Sequence, residues 1–365
     1  MQILEKLSAV GQAVWFDYIK RSFTESGKLE ELVGMGVRGV TSNPSIFEKA
    51  IAGSDDYDEA IKALVNSGVS EAEAIYEALA LEDIGRAADI LKTVYDNTGG
   101  SDGYVSLEVS PHLSAETEKT VMEAERLFSL LGKENVMIKV PATPQGIPAI
   151  EELIAKGINV NVTLIFSLDQ YKAVAEAYVK GLERLLSGGG NPARVASVAS
   201  VFVSRIDTAV DKALEEKGER SITGKIAVDN SRIIYKAFRS IFSSIRWFEL
   251  AAAGARVQRP LWASTGTKNP DYPDTLYVDT LIGPDTVNTM PPATLDSFLD
   301  HGVIEKRITE DLDGALERIE RLKAHGINLD EITDNLLYEG VKAFEKAYVD
   351  LLAAIEEKVK GIKGD

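Results

Sequence analysis

The chain has 365 residues, 45% of them hydrophobic and 27% charged, and a formal net charge of −17. That excess of acid argues against nucleic acid or an anionic membrane surface as a main partner, while leaving room for an anionic small molecule at a locally positive site. The absence of cysteine excludes disulfides and thiol chemistry. No run is long and apolar enough to span a bilayer, and the opening MQILEKLSAVGQAVWFDY lacks a basic segment followed by an apolar one, so a cytoplasmic enzyme is expected.

Taken in chain order, QAVWFDY is the first strand candidate, and KLEELVGMG follows with helical spacing. GVRGVTSNPS reads as a strand and turn before helical IFEKAI. A longer helical region covers about Asp56 to Thr98, with a capping-box pattern at Ser70 and Glu73. YVSLEVSP precedes helical AETEKTVMEAERLFSLLG. VMIKVPA precedes a helix for which Thr143 is the expected N-cap and Pro144 the first residue. INVNVTLIF precedes a helix opened by Ser167 and Gln170, again a capping-box pattern. VASVASVFVSRID and RPLWAST are further strand candidates. LYVDTLIG is the expected last strand, set within a loop segment from Pro270 to Pro292. From about Ile304 the chain reads as helical, with a charged tail expected to fray. Eight strand candidates, most followed by a helix, predict parallel strands and a closed (β/α)8 TIM barrel; a doubly wound sheet is the alternative. Residues 1–365 then form one barrel domain with a helical insertion at about 56–98 and a helical extension at about 304–365.

Alternate residues of a strand share a face. Lys139 shares one with Met137, opposite Val136, Ile138 and Val140. Ser106 and Glu108 oppose Val105, Leu107 and Val109. Asn161 and Thr163 oppose Val160, Val162 and Leu164, and Ser200 and Phe202 oppose Val201 and Val203. Thr41 and Asn43 lie opposite Val40, and Asp17 lies on the side of Trp15. Apolar faces pack on helices, so these polar faces point into the barrel, mostly near the carboxyl ends where barrel enzymes keep their chemistry. Singly, each residue has an ordinary reading: a snorkelling lysine, its salt-bridge partner, a turn cap, a buried hydrogen-bonding group. The repetition over several strands favours a site. A lysine enclosed in such a site can lose its proton and attack a carbonyl, giving a Schiff base that permits cleavage of a neighbouring carbon–carbon bond. Carboxylates such as Glu108 and Asp17 suit the proton transfers this needs. His112, His301 and His325 have no ligand spacing, so a metal-dependent route is disfavoured.

The segments GVTSNPSIF, VSLEVSPHLS, VMIKVPAT, NVNVTLIFS and SVFVSRID, in this order between Asp17 and Asp207, resemble the signature motifs of the transaldolase family. The resemblance implies a class I aldolase on a (β/α)8 barrel, without metal or cofactor. Such an enzyme moves a dihydroxyacetone unit from a ketose phosphate (sedoheptulose 7-phosphate or fructose 6-phosphate) to an aldose phosphate (glyceraldehyde 3-phosphate or erythrose 4-phosphate) in the pentose phosphate pathway. It implies Lys139 as the Schiff-base lysine and Asp17 as the acid/base in bond cleavage. Glu108 and Thr163 would hold the catalytic water. Asn43 and Asn161 would bind the dihydroxyacetone hydroxyls with Thr41 nearby, Ser200 and Phe202 would line the site, and Arg205 would bind phosphate.

WASTGTKNP departs from the commoner family form, in which a serine is followed two positions later by arginine. Ser264 fits, Gly266 holds the arginine's place, and Lys268 is the candidate replacement. The run YVDTLIGPDTVNTMPP resembles a longer bacterial branch of the family. An aldolase releasing free dihydroxyacetone from fructose 6-phosphate and a catalytically silent sugar-phosphate binder are the rival readings. A monomer or small homo-oligomer is expected.

Overall fold

The computed structural model describes residues 2–364. The end of the tail expected to fray, at Asp365, lies outside them. Eight strands form a closed, wholly parallel barrel in sequence order: β1 Gln12–Phe16, β2 Val37–Val40, β3 Tyr104–Glu108, β4 Val136–Pro141, β5 Val160–Ile165, β6 Ser197–Phe202, β7 Arg259–Ala263 and β8 Thr286–Met290, with β8 returning to β1. With helices packed around it, this is the (β/α)8 fold, and the doubly wound alternative falls.

The eighth strand is not the one expected. Leu276–Asp279, the start of LYVDTLIG, is a short helix, and β8 is TVNTM further on. The apolar run is buried against a helix, Tyr277 donating to Asp207 Oδ2 at 2.9 Å. An apolar run alone does not distinguish a strand from a buried helix turn. TVNTM is disguised by polar residues on both faces: Thr289 lies on the side of Trp15, and on the opposite side Asn288 Oδ1 accepts from Thr265 Oγ1 at 3.0 Å.

Local signals have mixed outcomes. The box at Ser167 and Gln170 opens the helix Leu168–Ser187, Ser167 Oγ accepting from Gln170 N and Gln170 Oε1 from Ser167 N. Thr143 Oγ1 caps Gly146 N at 2.9 Å, but the helix begins at Gly146, so Pro144 precedes it. The box expected at Ser70 and Glu73 is not formed. The helix Ala72–Asn97 has no side-chain cap, and Glu73 Oε1 accepts instead from Tyr348 Oη at 2.9 Å. Residues 56–98 contain this helix and Asp58–Asn66, and beyond residue 304 helices begin only at Leu312, as Leu312–Ala324 and Leu329–Gly364.

Inside the barrel, Trp15 is fully buried, and Gly39 of β2 makes room for it: a Cβ on Gly39 would lie 2.5 Å from the indole. Above it runs a polar layer. Asn161 Nδ2 donates to Ser106 Oγ at 3.0 Å, and Ser200 Oγ donates to Asn161 Oδ1 at 2.7 Å, linking β3, β5 and β6. Buried amides and hydroxyls persist in such a core only when mutually satisfied. The helix Leu329–Gly364 packs across the carboxyl ends, touching the helices Pro44–Ala52 and Ser204–Glu216 and β5.

Candidate active site

The carboxyl ends of the strands open on a cavity of about 470 Å3, a size ordinary for small-ligand sites. Lys139 on β4 stands between its ladder partners Glu108 on β3 and Asn161 on β5. Its Nζ donates to the Ser42 carbonyl at 2.8 Å and lies 3.4 Å from Glu108 Oε2. The second approach lacks hydrogen-bond alignment, so Glu108 Oε2 has no hydrogen-bond partner among the described residues. The Thr163 hydroxyl, fully buried in β5, likewise has none. Lys139 is 5% exposed and Glu108 8%. Burial pushes the Glu108 carboxyl above its ordinary pKa; the Lys139 charge opposes this and the Asp17 charge adds to it.

Asp17 follows β1 directly, its N–H donating to Met290 O at 2.9 Å, so the β8 ladder fixes its position. Its Oδ1 accepts from Thr41 Oγ1 at 2.6 Å, and Thr41 Oγ1 lies 2.7 Å from Thr289 Oγ1. Enclosure raises its pKa as well, against the opposing influence of Lys139 and the Thr41 hydrogen bond. The lysine thus has carboxyls on two sides, both biased by desolvation toward holding a proton.

Asn43 caps the helix Pro44–Ala52, its Oδ1 accepting from Ile46 N at 3.0 Å, which leaves its Nδ2 for a ligand. On the other side of the mouth, Arg205 makes no ion pair or hydrogen bond among the described residues. Its guanidinium lies 5.1 Å from the Phe202 ring, and burial lowers its pKa. Ser264, in the left-handed region at φ 55°, lies with its Oγ 2.9 Å from Ser204 Oγ. Lys268 is exposed at the rim and unpaired among the described residues. Asp17, Thr41, Asn43, Lys139, Thr163, Ser200, Phe202, Arg205, Ser264 and Lys268 all border this cavity. Asn161 does not: both ends of its amide are spent within the polar layer. Glu108 lies behind Lys139 and off the cavity wall.

A larger cavity of about 660 Å3 lies by the end of β3, beside the helices Ala72–Asn97 and Thr117–Leu131. Its wall includes Glu71, Glu73, Glu77 and Glu123, and its one arginine, Arg126, is paired with Glu77 and Glu123. That wall repels an anionic ligand. The 470 Å3 cavity has Lys49, Lys139, Arg205 and Lys268 against the single acid Asp17, a positive recess in a strongly acidic chain. Among the described residues, no group of three or more His, Cys, Asp or Glu side chains could hold a metal ion, and no described helix is long and apolar enough to cross a membrane.

The family model for transaldolase/fructose-6-phosphate aldolase matches residues 14–355. The chain belongs to that family. Transaldolase of Trichodesmium erythraeum is 45% identical over 371 residues, covering 98% of this chain and 97% of the relative. Transaldolase of Thermobifida fusca is 47% identical over 361 residues, covering 98% of both. Transaldolase 2 of Nostoc punctiforme is 45% identical, with 98% of this chain and 97% of the relative aligned. The chain is an enzyme of the transaldolase kind.

Sequence reasoning passed over five residues at or beside the 470 Å3 cavity. The Ser42 carbonyl, the partner of Lys139, carries no side-chain signal. Thr289 sits on the unrecognised β8. Ser45 and Lys49 line the cavity from one helix face, four residues apart, a spacing legible in SNPSIFEK. Phe344 comes from the helix Leu329–Gly364, far along the chain.

Proposed function

We propose that Lys139 forms a Schiff base with the carbonyl of a ketose phosphate and that the chain transfers a dihydroxyacetone unit to an aldose phosphate. Sedoheptulose 7-phosphate or fructose 6-phosphate is the donor, glyceraldehyde 3-phosphate or erythrose 4-phosphate the acceptor, and the pentose phosphate pathway the setting, in the cytoplasm. The observation that carries this reading is the buried Lys139 amine held between Glu108 and the Ser42 carbonyl at the foot of a positive cavity.

The amine attacks the donor C2 carbonyl and gives a carbinolamine. Glu108, acting through a water held with Thr163, delivers a proton to the carbinolamine hydroxyl, which leaves as water as the iminium forms. Asp17 then takes the proton of the C4 hydroxyl. The C3–C4 bond breaks, its electron pair passes into the iminium as an enamine, and the aldose phosphate departs. The enamine attacks the aldehyde of the acceptor, Asp17 returns its proton to the new alkoxide, and water hydrolyses the iminium with Glu108 as base. Asn43 and Thr41 hold the dihydroxyacetone hydroxyls, Arg205 the phosphate. Ser200 and Phe202 line the sugar's path, and Asn161 acts by fixing Ser200.

Fructose 6-phosphate turnover is expected to depend on erythrose 4-phosphate in a coupled assay. Release of free dihydroxyacetone without acceptor would instead mean the aldolase reaction, and no turnover a silent binder. Borohydride with fructose 6-phosphate should leave a stable adduct at Lys139 on peptide mapping. Lys139→Met should abolish the adduct and keep the fold, because unbranched Met fills the same space and Glu108, freed of its cation, can hold a proton instead of a buried charge.

A further inference from the structure

Leu164, next to Thr163, is a fully buried β-branch-free residue at φ 60°, a left-handed conformation that costs a non-glycine residue free energy unless its surroundings hold it. It interrupts the ladder between β5 and β6, where the register slips between Val162 and Ile165. It therefore does not simply continue the alternation with Val160 and Val162. It borders a gap of about 10 Å3 with Val341 and Phe344 of the helix Leu329–Gly364, and with Glu108. On that helix Gly340, Phe344 and Tyr348 recur every four residues and so share a face. Phe344 borders the catalytic cavity. A Cβ on Gly340 would lie 2.9 Å from Leu164 Cδ2, closer than such carbons pack, but 3.6 Å from Arg205 Nη1, an ordinary contact.

We propose that Gly340 and Leu164 are positioning residues for the Thr163 hydroxyl: the absence of a side chain at Gly340 lets the helix seat Leu164 in its strained conformation, and that bulge sets where the neighbouring Thr163 holds its side chain. The proposal rests on the reading of Thr163 as a holder of the catalytic water. Glycine is a poor choice for a helix interior, and alanine would favour the helix. That gain is opposed here, because the added Cβ has to displace the Leu164 side chain, and the displaced leucine is what costs function. The gap beside Leu164 is shared with Glu108, so a displaced leucine that relaxes into it approaches the other water-holding group. Arg205 keeps an ordinary contact, so phosphate binding is spared.

The test is Gly340→Ala in the full chain, read by single-turnover borohydride trapping at Lys139 and by steady-state kinetics with fructose 6-phosphate and erythrose 4-phosphate. Trapping should slow on the order of 10- to 100-fold, the scale of an ångström-level misplacement, and kcat should fall with KM nearly unchanged. Leu164→Ala alone should also slow trapping, since the bulge loses its support. The combined variant should lose less than the product of the two single losses, because the added methyl no longer meets the leucine's isopropyl group. Equal trapping by Gly340→Ala and the unsubstituted chain, a loss confined to KM, or losses that multiply in the combined variant would each overturn the proposal. Absence of an adduct in the unsubstituted chain would overturn the Schiff-base reading itself, and with it this inference.

Discussion

Asp17 and Glu108 are both carboxyls with pKa values raised by desolvation, and both lie within the field of Lys139, yet their neighbours separate their tasks. Asp17 is tied to Thr41 on the cavity wall, whereas Glu108 Oε2, behind the lysine, has no hydrogen-bond partner among the described residues. Asp17→Asn should therefore form the donor Schiff base quickly and slow bond cleavage, and Glu108→Gln should slow formation and hydrolysis of the adduct. Each loss should be roughly 10²- to 10⁴-fold, the worth of a positioned acid or base, and rapid-quench trapping separates the two. Equal, slow trapping in both variants would reverse the assignment. Arg205→Ala should weaken phosphorylated substrates by about 1.5–3 kcal/mol, the worth of a charged hydrogen bond, and leave dihydroxyacetone little affected. If Lys268 shares the phosphate, Lys268→Ala should raise KM for fructose 6-phosphate and erythrose 4-phosphate together; an unchanged KM returns it to the solvated rim. At this scale the sequence was informative where strand alternation applies: Lys139, Glu108 and Asn161 are ladder neighbours because polar residues recur on one face of three apolar strands. It was uninformative where a backbone atom does the work, as at Ser42, or where a bulge breaks the alternation, as at Leu164.

At the scale of elements, Asp207, the last residue of SVFVSRID, joins three pieces of the outer layer. It lies on the helix Ser204–Glu216, its Oδ1 accepts from Ala227 N at the start of the helix Ile226–Ile241 at 2.7 Å, and its Oδ2 accepts from Tyr277 of the short helix Leu276–Asp279. No cation pairs with it among the described residues, and burial lifts its pKa from 3.8 to about 7. A pKa raised on folding contributes stability that is complete below the unfolded value and lost as pH climbs through the folded one. Melting temperature should therefore decline between about pH 4 and pH 7 by an amount that Asp207→Asn removes. The amide keeps both contacts, since Tyr277 can accept where it formerly donated. Scanning calorimetry at pH 5 and pH 8 checks this, and equal pH slopes for the two proteins would mean that Asp207 stays charged throughout. The same junction explains why the eighth strand was misplaced. Tyr277 and Val278 are buried as a strand's residues would be, but under a helix, while β8 buries polar residues on both faces, Thr286 and Asn288 on one and Thr289 on the other. Hydrophobicity locates burial, not the element that achieves it.

For the whole molecule, the helix Leu329–Gly364 joins the extension to the carboxyl ends of the barrel. The helix Leu329–Gly364 buries Phe344, Tyr348, Leu351, Ile355 and Val359 to 6% exposure or less. At about 1.5–3 kcal/mol for each large apolar side chain, removing them exceeds much of the 5–15 kcal/mol of stability typical of a native protein. A chain ending at residue 328 should accordingly lose its cooperative thermal transition by circular dichroism. A transition retained near that of the full chain would show that the barrel stands without its roof. The extension was legible as helix from its periodicity, but nothing in the sequence tells which part of the barrel such a helix covers.

The roof also leaves the ribosome only after the whole barrel has been made. Lys139 and its two carboxyls are synthesised in the first half of the chain, but Thr289, which hydrogen-bonds to the Asp17 partner Thr41, comes near residue 290, and Gly340 and Phe344 later still. Since synthesis proceeds from the amino terminus at about 5–20 residues per second, there is an interval of seconds in which Lys139 exists without its completed enclosure. In the Schiff-base mechanism proposed above, the Lys139 amine therefore gains its complete enclosure only when that helix docks.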